Sequence, residues 1–248
     1  MPNLSGMVIV TGGASGIGRA SAIHFAECGA QVAAVDRDGD ALGDLPASIL
    51  PIEADLTKAE DCRRAVEQVG KQGPITGLFN CAGLELHGTV ETMSEADYDL
   101  VMAVNLKAIF LMCKYVVPAM VAGGGGAILN MSSIQALATQ SGVAAYAASK
   151  GAVISMTRVM ALDHGKDNIR VNSICPGTIA TPLGKENARY FRPEDPEGQL
   201  AEWGGMHALG RIGEPIEVAR FAAFLLSSDA SFITGSHHLV DGGLLASF

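Results

Sequence analysis

The stretch from Met7 to Cys28 constrains the fold more than any other part of the chain. Met7 to Val10 is a short apolar run without polar alternation, the pattern of a strand buried on both faces of a parallel sheet. It runs directly into Thr11-Gly12-Gly13-Ala14-Ser15-Gly16-Ile17-Gly18, and a helical segment from Arg19 to Cys28 follows. A buried strand, a glycine turn and a helix make most of a βαβ unit, whose right-handed crossover lays the next strand parallel to the first. Gly12, Gly16 and Gly18 have the spacing G-x-x-x-G-x-G rather than G-x-G-x-x-G, but the physics is the same. Missing side chains let the backbone turn tightly and approach a pyrophosphate, while the helix N-terminus offers free amides and a positive dipole end. A bare strand-to-helix connection is the alternative reading of such a turn. Its strand–turn–helix context points to phosphate binding, with Gly12, Ser15, Gly16, Ile17 and Gly18 as cofactor contacts.

The alternation continues. Gln31 to Val35 reads as a second strand ending at Asp36, about twenty residues beyond the turn. A carboxylate there accepts hydrogen bonds from the adenosine ribose hydroxyls and repels a 2′-phosphate, so it points to NAD over NADP. Ser15, where a basic residue would favour NADP, points the same way. Arg37 is either a solvated charge or a guanidinium able to meet a phosphate. Ile49 to Glu53 reads as a third strand, with a helix from about Thr57 to Gly70; Asp55, followed by Leu56, either caps that helix or touches the adenine. A fourth strand from Gly77 to Phe79 ends at Asn80-Cys81-Ala82-Gly83, where small residues let the backbone lie against a cofactor; Asn80, Ala82 and Gly83 are the candidates. The expectation is one α/β domain over residues 1–248: a Rossmann-type, doubly wound parallel sheet with helices on both faces and ligands at the carboxyl ends of its strands.

Composition removes several function classes. Hydrophobic residues make up 48% and charged residues 17%, enough for a sizeable core and unlike a disordered chain. The net charge of -9 carries no block of like charges and argues against nucleic acid or an anionic membrane as the main partner. Cys28, Cys62, Cys81, Cys113 and Cys175 lie far apart without a C-x-x-C pair, and the six histidines are scattered, so neither a disulfide framework nor a metal site is expected. No basic leader or long apolar span opens the chain, and a cytoplasmic protein is the expectation.

Chemistry is concentrated at Tyr146-Ala147-Ala148-Ser149-Lys150. Residues i and i+4 share a helix face, so the phenol and the ammonium point the same way. An ammonium beside a phenol favours the phenolate, which would let Tyr146 exchange protons nearer neutral pH. Ser133, thirteen residues earlier, supplies a hydroxyl for a substrate oxygen whose charge changes as the proton moves.

With Thr-Gly-x-x-x-Gly-x-Gly at 11–18, Asn80 to Gly83, Asn105, Ser133 and Tyr146 to Lys150 in order, the chain resembles the short-chain dehydrogenase/reductases over nearly its whole length. The likeness continues through Pro176-Gly177-Thr178, Arg211-Ile212-Gly213-Glu214-Pro215, Thr234-Gly235 and Asp241-Gly242-Gly243. It implies Tyr146 as acid/base, Ser133 as the donor that orients the substrate oxygen, and Lys150 as the group that lowers the tyrosine pKa and holds the nicotinamide ribose. Asn105, otherwise a helix-capping or helix-kinking residue, would support a water relay to Lys150. The Pro176-Gly177 turn would face the nicotinamide ring, with Ile179 and Thr181 beside its carboxamide. Cys81 departs from the family, which commonly has a second asparagine there; a thiol fills the space without the amide's hydrogen bonds.

The resemblance also places residues 182–209 over the substrate as a lid. Its many polar residues lean toward a sugar, polyol or sugar acid, with Arg189 or Arg192 pairing a carboxylate; outward-facing charges are the alternative. Gln135, Gln140 and Glu85 are further candidates for hydroxyl contacts. Ala96 to Val121 and Ala145 to His164 are apolar helical stretches that resembling proteins use to build a homotetramer. The reading is thus an NAD-dependent oxidoreductase transferring hydride between nicotinamide and a secondary alcohol or ketone, a sugar, polyol or sugar acid, with an NADPH-dependent 3-oxoacyl-type reductase as the rival enzyme and a non-catalytic NAD-binding scaffold as the remote alternative.

Overall fold

The computed structural model describes residues 2–247. In chain order its elements are β1 (Met7–Thr11), α1 (Gly16–Glu27), β2 (Gln31–Asp36), α2 (Gly39–Gly43), β3 (Ile49–Glu53), α3 (Ala59–Gly70), β4 (Ile75–Asn80) and α4 (Glu95–Met102). There follow α5 (Ala108–Ala122), β5 (Gly126–Met131), α6 (Ala144–His164), β6 (Ile169–Pro176), α7 (Pro182–Phe191), α8 (Pro196–Met206), α9 (Pro215–Leu226) and β7 (His237–Val240).

All seven strands are parallel, in the order β3-β2-β1-β4-β5-β6-β7. The order reverses between β1 and β4, and the crevice beyond their carboxyl ends is where such sheets bind ligands. Successive side chains of a strand point to opposite faces, which explains the two cores. Ile9, Val35, Leu78 and Ile128 pack with Met112, Val116 and Val153 from α5 and α6 on one face. Val8, Val10, Phe79, Leu129 and Ile174 pack with Ala22, Phe25 and Ala223 from α1 and α9 on the other. Burying both faces is what makes β1 read as an unbroken apolar run rather than an alternating one.

Two local features differ from the sequence expectation. α1 begins at Gly16 rather than Arg19, so Gly16 and Gly18 form its first turn and bring free amides to the crevice. The long run over 95–122 is interrupted by a π-helical turn, Ala103–Lys107, which swings Asn105 inward. The run Glu95–Ala122 has the length and mean hydropathy (1.8) of a membrane span, but its inner face, with Ile109, Met112, Val116 and Met120, is buried against the sheet.

Candidate active site

A cavity of about 600 Å³ opens at the carboxyl ends of β1, β2, β4, β5 and β6. Its first wall is the glycine turn. Gly12 and Gly16 have φ of +68° and +51°, which L side chains rarely adopt. A Cβ on Gly12 would lie 2.8 Å from Ala82 Cα, and one on Gly18 would lie 2.0 Å from the Gly12 carbonyl oxygen. Ser15 is the N-cap of α1, yet its hydroxyl accepts none of the helix amides, which leaves them for an anion. This side-chain-free cradle fits a dinucleotide pyrophosphate.

Thr11 has no task legible in the sequence beyond its place in the glycine motif, and the structure gives it one. Its Oγ1 accepts hydrogen bonds from the Cys81 and Ala82 amides, at 2.9 and 3.1 Å, and so pins the turn after β4 to the end of β1. That turn brings Ala82 and Gly83 to the cavity. Asn80 does not line it. Its Nδ2 donates to Asn130 Oδ1 at 2.9 Å, and Asn130 Nδ2 donates to Thr157 Oγ1 at 3.0 Å, a buried polar ladder joining β4, β5 and α6 beneath the floor. Asn80 is therefore a brace rather than a cofactor contact.

At the other end, Asp36 leaves β2 with one carboxylate oxygen accepting from the Ala14 amide at 3.1 Å and the other from the Asp38 amide at 3.2 Å. Asp36, Arg37, Asp55 and Leu56 all line the cavity there. Asp55 is not the cap of α3, which is Lys58; it accepts from the Thr57 amide and hydroxyl, and the hydroxyl bond holds its carboxyl below the usual range.

The residues that the sequence marks as candidates for catalysis, Ser133, Tyr146 and Lys150, meet at the carboxyl ends of β5 and β6. Ser133 sits in extended backbone just beyond β5, where its hydroxyl accepts from the Gln135 amide at 3.1 Å and faces the Tyr146 phenol, whose anion it favours. Lys150, one turn further along α6, donates to the Met131 carbonyl at 3.0 Å and places its Nζ 5.5 Å from the centroid of the Tyr146 ring. The expectation that Lys150 depresses the tyrosine needs correction for the protein as it stands. Burial pushes the phenol up, with the Glu85 charge adding to it, and only the Ser133 hydroxyl opposes them. The buried lysine is itself brought down to about 8, so the residue meant to supply the charge is readier to lose it. At neutral pH Tyr146 is a neutral donor.

Asn105 is fully buried and does not line the cavity. Its Oδ1 accepts from the Leu84 amide and its Nδ2 donates to the Leu84 carbonyl, both at 2.9 Å, and also to Ser149 Oγ at 3.1 Å. It braces the turn after Gly83 against α6, and a Cβ on Gly83 would come within 3.3 Å of Asn105 Oδ1 and 3.4 Å of Lys150 Nζ. Pro176, Gly177, Ile179 and Thr181 line the cavity along the chain leaving β6. Ile179 pairs with Gly213, and Thr181 caps α7 by accepting from the Gly184 amide at 3.0 Å. A Cβ on Gly16 would lie 3.3 Å from the Thr181 side chain, so these two segments face each other closely.

The lid is helical, but its charges do not face inward. Arg189 is exposed, and Arg192 is ion-paired with Glu202 and lies 4.0 Å from Asp195; neither lines the cavity. Neither is a substrate contact, contrary to the sequence expectation. What the lid presents is Leu183, Asn187, Trp203 and Met206, a more apolar wall than its composition implied. The polar contribution comes from the body: Gln135 and Gln140 line the cavity, as does Glu85, whose carboxyl is pushed up by burial. Among the described residues no cluster of metal-ligating side chains is present. Cys81 is pushed up to about 12 by burial, as befits a packing thiol rather than a nucleophile.

Parallel sheet, pyrophosphate cradle and Ser-Tyr-Lys cluster together define a nicotinamide-dependent oxidoreductase acting on CH–OH groups. Residues 12–245 match the family described as enoyl-(acyl carrier protein) reductase. The chain is 40% identical to Dehydrogenase/reductase SDR family member 6 of Aquarana catesbeiana, over 98% of this chain and 99% of the relative. It is also 40% identical to the NAD-dependent glycerol dehydrogenase of Listeria innocua, over 96% and 92%. The ligand-free aldohexose dehydrogenase of Thermoplasma acidophilum superposes with a TM-score of 0.92 at 37% identity, covering 98% of this chain and 94% of that one. The chain belongs to the short-chain dehydrogenase/reductase family.

Proposed function

We propose that the protein is an NAD-dependent dehydrogenase of a polyhydroxylated secondary alcohol, a sugar or polyol. The observation that carries this reading is one continuous cavity with the Asp36 carboxylate at one end and Tyr146, Ser133 and the buried Glu85 at the other. Asp36 suits a ribose bearing free hydroxyls, and Glu85 suits a second hydroxyl near the reacting carbon, because a carboxylate is a hydrogen-bond acceptor only. Gln135 and Gln140 extend that polar side, while Trp203 and Met206 suit a ring or carbon face. A sugar acid fits less well, since Arg189 and Arg192 are not at the cavity.

A bound nicotinamide supplies the hydride acceptor or donor. The chain supplies the rest. Ser133 and Tyr146 hold the substrate oxygen, and Tyr146 moves its proton: as phenol it donates to a forming alkoxide, and as phenolate it accepts from an alcohol. Lys150 lies against the same phenol and, when charged, stabilises its anion.

Arg37 supports one rival, an NADPH-dependent 3-oxoacyl-type reductase, because it lines the same end of the cavity as Asp36. We also propose a homotetramer: Phe110, Val121, Val159 and Leu162 leave an apolar surface on α5 and α6, and Phe232 and Leu239 leave another near β7. The functional test is cofactor-reduction absorbance with NAD and with NADP over sugars, polyols, hydroxy acids and simple secondary alcohols. Turnover with NAD and polyhydroxylated substrates is expected. Turnover only with NADP, or only on acyl ketones in reverse, would overturn the reading.

A further inference from the structure

Glu85 does not sit in the cavity alone. Asn187, on the inner face of lid helix α7, donates from Nδ2 to Glu85 Oε2 at 2.9 Å, and its Oδ1 meets His87 Nε2 at 3.2 Å. The roles in this chain are fixed by elimination. A carboxylate only accepts, so the amide must turn its NH2 to Glu85 and its carbonyl to His87, which then carries its proton on Nε2. Burial favours the neutral imidazole, and in that form His87 Nδ1 is a buried lone pair without a hydrogen-bond partner, 3.8 Å from Glu85 Oε1. A buried acceptor facing a buried carboxylate is costly, and such an arrangement persists where the surroundings hold it. Here rings hold it: His87 stacks on Tyr190 at 4.0 Å and meets Phe191 edge-on at 5.0 Å, and Phe191 meets Trp203 of α8 at 5.9 Å. One side chain of the body thus engages α7 by stacking and hydrogen bonding, and α8 through Phe191.

We propose that Asn187 and His87 are positioning residues for Glu85, so that the hydroxyl-recognising carboxylate is aimed at the substrate only when the lid helices are docked. The inference rests on the reading of Glu85 given above. Without the Asn187 amide, nothing on α7 holds Oε2, and the carboxylate is free to turn toward His87 or Lys150. Lid position and substrate recognition then become one event: a substrate gains its second hydroxyl contact only in the closed arrangement. Lys150 and Tyr146 from α6 and His87 from its own segment face Glu85, while Glu186 acts on His87.

The test uses a matched pair of substrates, cyclohexane-1,2-diol and cyclohexanol, which differ by one hydroxyl. The ratio of their kcat/KM values is measured for wild type, Glu85→Gln, Asn187→Asp, His87→Phe and the Glu85→Gln/Asn187→Asp double variant. Wild type should favour the diol, and Glu85→Gln should remove most of that preference. Asn187→Asp, nearly isosteric but repelling Glu85, should lower the ratio about 10-fold or more, mainly through the KM for the diol. It should also move the acid limb of the diol pH profile upward, since Glu85 loses a donor and gains a like charge. His87→Phe keeps a ring on Tyr190 but loses the Nε2 donor, and should lower the ratio by less. The double variant should discriminate no worse than Glu85→Gln alone, because Asn187 acts through Glu85. Equal losses on both substrates in Asn187→Asp, or additive losses in the double variant, would overturn the positioning role while leaving Glu85 intact. No diol preference in wild type, or one untouched by Glu85→Gln, would overturn the reading of Glu85 and the inference with it.

Discussion

Thr11→Val isolates the link between the glycine turn and the turn that follows β4. Valine has nearly the shape of threonine and a higher strand preference, so neither a cavity nor a propensity loss enters. What is lost is Oγ1, the acceptor for the Cys81 and Ala82 amides. Leaving a buried donor unpaired costs ~1–3 kcal/mol, and both residues are half-buried, so the low end applies to each. The expected total is about 2–3 kcal/mol, corresponding to a fall in Tm of roughly 4–12 °C for a chain of this length. The same turn carries Ala82 and Gly83 into the cavity, so cofactor affinity should fall as well. Urea denaturation and cofactor titration by fluorescence measure the two effects, with Thr11→Ser as the control that restores the acceptor. A loss below about 0.5 kcal/mol, or an equal loss in Thr11→Ser, would refute the account of Thr11 as the pin between the turns.

Tyr146→Phe should lower turnover by ~10²- to 10⁴-fold and leave cofactor binding in place, because the proton donor goes and the cradle stays; steady-state rates beside a binding titration check it, and retained turnover would remove the tyrosine from the chemistry. Asn80→Ala should cost about 1–3 kcal/mol of stability by unpairing Asn130, with the cofactor dissociation constant moving far less; a dominant loss of cofactor affinity would return Asn80 to the cavity. Glu85 is raised by burial in the folded state, so its favourable share of stability is fully present below the ordinary glutamate value of about 4.3 and is lost as pH rises through the raised one. Denaturant midpoints of Glu85→Gln across that window should therefore fall less steeply with pH than those of wild type, and identical slopes would contradict the burial.

The legible parts of this protein are those where a backbone requirement is written into residue type. Gly12 and Gly16 have positive φ, and Gly18 faces a carbonyl that tolerates no Cβ, so the glycine spacing, read together with the strand before it and the helix after it, locates the cradle. Tyr146 and Lys150 lie one helical turn apart whatever surrounds them. Thr11 belongs to the same motif, but its hydroxyl reaches residues seventy positions away, and no spacing announces such a bond. Asn80 and Asn105 stand out as residues in the sequence, yet their role as braces does not, because only the packing shows which way an amide points. The expectation for Arg189 and Arg192 fails for a similar reason: a lid's composition does not say which helix face turns inward, and Arg192 is held by Glu202.

The alternation of strands and helices can be read from the chain alone, since it follows from local periodicity, and the i, i+4 pairing of Tyr146 and Lys150 follows from helix geometry; that Ser133 joins them is what the family resemblance implies. The electrostatics of the site and the assembly of its substrate end come from packing. The direction in which Tyr146 and Lys150 shift depends on burial, and the Glu85–Asn187–His87 chain joins residues about a hundred positions apart. Burial and long-range pairing are properties of the packed chain, and no window of sequence contains them.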